Sequence, residues 1–207
     1  MGSGINEVAA FFRRHLFLSS LLLSAGAGFL SWMAEFYAIR GGGTIAALAV
    51  LLVSLMLFPE VAGLRWLPRG LLLAAVLAVL LYLLWIAMIG TQQGRASKVP
   101  AVPASMWWLG LLYSVIAMPW LEEKLVRDLM LRGLAVLVGT WPAILVSSLI
   151  FGIAHGAYLL FAFLFGVVLA VARLHLGMTT SQRTLTHGLV NLAIWCWQVP
   201  GFLDYLF

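Results

Sequence analysis

Residues 70–90 read GLLLAAVLAVLLYLLWIAMIG and contain no charged side chain. About 20 consecutive apolar residues are what a helix needs to cross the hydrocarbon core of a bilayer. The run is not isolated. Comparable segments cover 16–37, 44–61, 104–119 continuing into 120–138, 141–157, 158–176 and 184–200. The expected fold is all-α: a polytopic transmembrane helix bundle forming one integral membrane domain over residues 1–207. The count is seven spans if 104–138 is one long helix, and eight if Pro119 breaks it.

Composition agrees. The chain is 64% hydrophobic and 9% charged, with a mean hydropathy of +1.08. Soluble domains carry about a quarter charged residues, and a core of this size cannot hide the apolar excess, so lipid must cover it. The formal charge of +5 comes from twelve Lys and Arg scattered between apolar runs. They form no basic stripe, which argues against a nucleic-acid partner. The lone Cys196 allows neither an internal disulfide nor a cysteine metal site and is expected to serve packing.

Punctuation separates the spans. Gly41-Gly42-Gly43 divides the first two, Leu64 to Gly70 with Pro68 the next two, and residues 90–105 form one long polar loop. Gly139-Thr140-Trp141-Pro142 combines a helix stop with a helix start. Arg13 and Arg14 before an apolar run resemble a secretory signal, but further spans downstream favour an uncleaved first helix. Gly2 is present, yet Asn6 does not suit a myristoylation pattern. With seven spans, Arg13, Arg14, Arg65, Arg69, Lys124, Arg127, Arg132, Arg173 and Arg183 share the N-terminal side, and Arg40, Arg95 and Lys98 the other. Nine cations against three favour a cytoplasmic N-terminus, and the expected location is the inner membrane of a prokaryotic cell.

Against this background Glu122 and Glu123 stand out, because ionisable groups in a membrane span are costly and usually paired or functional. Glu123 and Arg127 are four apart on one helix face, as are Lys124 and Asp128, and each pair can neutralise itself. Glu122 has no basic residue three or four positions on. It needs a partner from another helix, or a proton. Ser147, Phe151 and His155 recur at intervals of four, and so do His187 and Asn191. A carboxylate, two imidazoles and an amide on three apolar segments can build a buried cluster that holds a water and polarises a carbonyl. Taken singly, each element has a structural reading: an ion pair, a hydrogen-bonded core histidine, an amide that glues helices. His15 and His175 read as interfacial, and the nine Trp as interface belts and packing.

Together, EEKLVR at 122–127, Phe151 to His155 and His187 to Asn191 fit the patterns EExxxR, FxxxH and HxxxN in order. The combination resembles the CPBP family of CAAX prenyl endopeptidases and bacteriocin-processing proteins, glutamic-type intramembrane proteases. The resemblance covers roughly residues 104–200, the catalytic-motif half. It implies that Glu122 is a general base with His155 as its partner, and that His187 and Asn191 stabilise an oxyanion. Glu123 and Arg127 would be supporting residues. The substrate would be a membrane-anchored or membrane-inserting protein or peptide, cut near its C-terminus: a sorting tail, a bacteriocin leader or a prenylated CAAX protein.

No cofactor is expected. Glu122, His155 and His187 also make a zinc-like ligand set, but the chain lacks the HExxH helix of zincins, and Asn191 is a poor zinc ligand. Other classes compete: a transporter or channel with a Glu/His proton relay, or a non-catalytic immunity or scaffold protein. One geometric demand follows. His155 ends its span and His187 begins its own, so full parallel spans would separate them by about 10 Å in depth. The segment 141–157 must therefore be tilted, displaced or partly re-entrant.

Overall fold

The computed structural model describes residues 11, 14–39, 41–59, 68–90 and 104–198. Gly2 and Asn6, Arg13, most of the polar loop 90–105 and the end of the last span lie outside the described residues. Within them the chain is helical, without strands. Helix α1 is Leu16–Phe36, α2 is Gly42–Leu57, and α3 is Pro68–Trp85 extended by a wide turn over Ile86–Gly90. The run at 104–138, α4, is continuous: Ala104–Leu111, Leu112–Ala117, Met118–Glu122, Glu123–Met130 and Leu131–Val138 follow without a gap. Then come α5, Thr140–Ala154; a 3₁₀ turn, Gly156–Tyr158; α6, Leu159–Leu174; and α7, Thr180–Gln198.

Pro119 does not break α4, because the helix widens around it. The Met118 N–H bonds Tyr113 O, five residues back, and over Glu123–Met130 the same register recurs, with the Leu131 N–H on Val126 O. Such π-type turns are rare and tend to mark functional positions. They turn carbonyls toward neighbouring helices. Ser20 on α1 donates to Leu125 O at 2.8 Å, and Asn191 on α7 donates through Nδ2 to Ser114 O at 2.7 Å.

The bundle is apolar outside and polar within. Leu72, Val79 and Leu80 on α3, Met56 on α2 and Val136 on α4 are exposed, the last at 85%. Lys124, Glu123, Arg127 and Arg183 are buried. Three helices, Leu16–Phe36, Pro68–Gly90 and Gly156–Leu174, are long and apolar enough to cross a membrane. This is an integral membrane protein. Its packing falls into seams: Ala47, Val50 and Leu51 of α2 meet Leu121, Leu125 and Leu129 of α4, while Ala78 and Leu81 of α3 meet Phe151, Phe165 and Val190 of α5, α6 and α7.

Two expectations are corrected. Lys124, Arg127, Arg132 and Arg183 lie within helices, not in connecting loops, and three of the four are buried. Without the three buried ones the cation count for the N-terminal side falls from nine to six, against three for the other side. Cys196 is exposed on α7 and does not serve packing.

The irregularity required near 141–157 takes a simple form. Helix α5 has 15 residues, a rise of about 22 Å, short of a hydrocarbon core of about 30 Å. It stops at His155, where Gly156 takes a left-handed φ of +56° that glycine accommodates without strain. Helix α6 then folds back against α5. The Phe151 ring lies between the two imidazoles, with centroids 4.2 Å from His155 and 6.2 Å from His187.

Candidate active site

Each motif reaches the site on its own element. The glutamates come from the junction of Met118–Glu122 with the second wide turn of α4, His155 from the C-cap of α5, and His187 and Asn191 from one face of α7. Helix α7 can approach α4 because residue 188 is glycine. A Cβ there would collide with the Val115 carbonyl oxygen.

The two glutamates occupy different environments. Glu123 is fully buried among cations. Arg127 Nη1 lies 3.4 Å from its Oε1, and Arg183 Nε 3.2 Å from its Oε2. The expected Glu123–Arg127 pair is therefore present, and so is Lys124–Asp128 at 2.8 Å. Glu122 keeps 20% of its side-chain surface exposed, and among the described residues its ion-pair partner is His187, with Nε2 at 3.6 Å. The other ring nitrogen of His187, Nδ1, is 3.3 Å from Glu123 Oε1. The imidazole thus bridges the paired carboxylate and the unpaired one.

His155 is arranged differently. Its Nδ1 lies 2.8 Å from Phe151 O, so Nδ1–H donates to the carbonyl and Nε2 is left as the basic nitrogen. Phe151 also stacks on the Arg127 guanidinium, 3.8 Å from Cζ to the ring centroid. The FxxxH phenylalanine therefore touches the EExxxR arginine with its ring and holds the histidine with its carbonyl. Ser147, on the same face of α5, is spent within its own helix on Ile144 O.

A cavity of about 200 Å³ opens beside these groups, lined by His155, His187 and Asn191 with Trp85, Phe151 and Tyr158 among the walls. Three of the four expected catalytic residues share it. Glu122 reaches this wall through His187. Among the described residues, no hydrogen bond or ion pair joins Glu122 to His155. Nor do any three His, Cys, Asp or Glu side chains among them converge tightly enough to hold a metal ion, the set Glu122, His155 and His187 included.

Two contributors were not anticipated. Arg183, read as a loop cation, is buried, donates to Glu123, and is fixed by Met178 O and Thr180 Oγ1. Its spacing was visible, since 183, 187 and 191 recur every four residues on one face of α7. Trp85, buried at the end of Pro68–Trp85, forms a wall of the cavity.

Residues 103–193 match the family described as Type II CAAX prenyl endopeptidase Rce1-like. The match spans all three motifs and supports assignment of the chain to the CPBP/CAAX intramembrane protease family, which implies a protease. No curated protein and no solved structure matches the chain.

Proposed function

We propose that this protein is an intramembrane endopeptidase that hydrolyses a peptide bond near the C-terminus of a membrane-anchored substrate. The observation that carries the reading is the contact between His187 and Glu122, on the wall of a cavity that His155 and Asn191 also line.

A water held at the edge of the cavity, where His187 meets Glu122, loses a proton to Glu122, with His155 Nε2 orienting it. The resulting hydroxide attacks the scissile carbonyl carbon. The developing oxyanion is met by Asn191, whose Nδ2 carries a second hydrogen beyond the one given to Ser114 O, and by His187 as the imidazolium, whose Nδ1–H faces Glu123 and whose Nε2–H is then available to the oxyanion. The tetrahedral intermediate collapses as Glu122 returns its proton to the leaving nitrogen. Glu123, held by Arg127 and Arg183, anchors the far side of the His187 ring. No step requires a metal. The family match weighs against the transporter reading.

The test is cleavage by the reconstituted protein of a quenched peptide ending in a farnesylated CAAX sequence, beside unprenylated membrane-tail peptides. The wild type should cleave one of them, with and without a chelator. Glu122→Ala and His155→Ala should each lose about a hundredfold or more. Activity retained by both variants removes the assignment. Loss on chelation with rescue by zinc replaces the metal-free mechanism.

A further inference from the structure

Within its own helix, Ser114 O has no backbone donor. In an α-helix its donor would be the N–H of Met118, but that N–H is committed to Tyr113 O by the wide turn Leu112–Ala117. In the wide register the donor would be residue 119, which is proline and has no N–H. Both backbone registers therefore fail at the same oxygen. A bare carbonyl inside a membrane helix is costly, and a side chain from a neighbouring helix can satisfy it. Here that side chain is Asn191, at 2.7 Å. Ser114 cannot serve itself, because its hydroxyl is given to Gly110 O. The close approach of α7 at Gly188, one turn before Asn191, brings the amide within reach.

We infer that Pro119 is a positioning residue for Asn191: by leaving the Ser114 carbonyl free, it aims the carboxamide into the cavity. The two N–H bonds of a primary amide are rigidly coplanar, so fixing one on Ser114 O fixes the direction of the other. Asn191 lines the cavity that holds both imidazoles, and its second hydrogen is the one that the proposed reaction uses. The inference rests on that reading for its catalytic consequence, but not for the coupling of the two residues.

Pro119→Ala supplies the missing donor by either route. In the wide register the new N–H bonds Ser114 O. In the α register it bonds Val115 O, and Met118 returns to Ser114 O. The oxygen still has a second lone pair, so Asn191 is not expelled. It is no longer required, and the turn that presents the carbonyl can relax.

The experiment is a double-mutant cycle on thermal unfolding in detergent, with Asn191→Ala, Pro119→Ala and the double variant, followed by cleavage kinetics on the quenched peptide. Asn191→Ala should lower Tm by about 2–6 °C in the wild-type background, and by less than half of that shift when residue 119 is alanine. Pro119→Ala should lower kcat about tenfold or more, leave KM within about twofold, and cause no further loss when added to Asn191→Ala. A thermally additive cycle overturns the inference whether or not any peptide is cleaved. A coupled cycle with unchanged kcat in a protein that cleaves overturns the positioning role. A coupled cycle in a protein that cleaves no peptide supports the clamp and sinks the protease reading instead.

Discussion

Helices α1–α3 and helices α4–α7 show lipid the same apolar surface and differ in what they enclose. Among the described residues, the buried polar side chains of the first group are Ser19, Ser20 and Ser54. Two of these bond carbonyls of their own chain segment, Ser19 to His15 and Ser54 to Leu51. The second group buries Glu123, Lys124, Arg127, Asp128, Arg183 and His187. A hydroxyl can be satisfied locally by its own helix, whereas a charge inside a membrane protein needs a partner. The first group can therefore be built from apolar periodicity alone. The second is held to one arrangement by the need to pair each charge. A site that requires fixed geometry belongs in the second kind of structure.

The largest expected effect separates the one carboxylate that this pairing leaves out. Glu122→Gln keeps the shape of the side chain and removes the base. Cleavage should fall by at least about a hundredfold, while the unfolding midpoint in detergent moves by no more than a few degrees, because among the described residues Glu122 belongs to no buried ion pair with Lys or Arg. Activity within tenfold of wild type would break the division between a catalytic and a structural glutamate. Arg183→Met tests the structural half. It fills similar volume and leaves Glu123 short of a cation in a buried setting, a loss of about 3–5 kcal/mol. Ser54→Ala, in the first group, should cost only about 1 kcal/mol. Equal losses in denaturant unfolding would mean that the network contributes no more than a hydroxyl, and the contrast between the two groups would lapse.

How far the sequence could be read follows the same line. The helices were legible because apolar length and Gly or Pro punctuation act locally: the breaks at Gly41 and Gly139 fall where helices meet. His155, His187 and Asn191 were legible from i, i+4 spacing, which a helix converts directly into a shared face. Arg183 was hidden by its neighbours. In TTSQRTLTH it looks like part of a polar loop, and only the early start of α7 at Thr180 puts it on the face of His187. A cluster of Glu122 with both imidazoles was expected from the motifs, but which of the two it meets, His187 and not His155, was not legible. It depends on how α4 and α7 close on each other at Gly188, a tertiary distance with no local signature. Pro119 was visible as a possible break, but its effect is a change of hydrogen-bond register, which spacing arguments do not carry.

The smallest expected effect lies where the two groups touch. Ser20 is the buried hydroxyl of α1 that reaches across, donating to Leu125 O at the second wide turn of α4, two residues beyond Glu123. Helix α1 also packs along that turn. If the first group is only a scaffold, Ser20→Ala should cost about 1 kcal/mol in unfolding and leave cleavage within about twofold. If instead α1 holds the wide turn in register, the loss of its donor lets residues 123–130 tighten, and the rotation carries Glu123 away from Arg183 and the His187 ring. Cleavage would then fall by more than the stability change accounts for, and Ser20→Thr, which keeps the hydroxyl, would restore it. Measuring kcat and unfolding side by side for the two substitutions decides whether the helices outside the family match support the site or help to shape it.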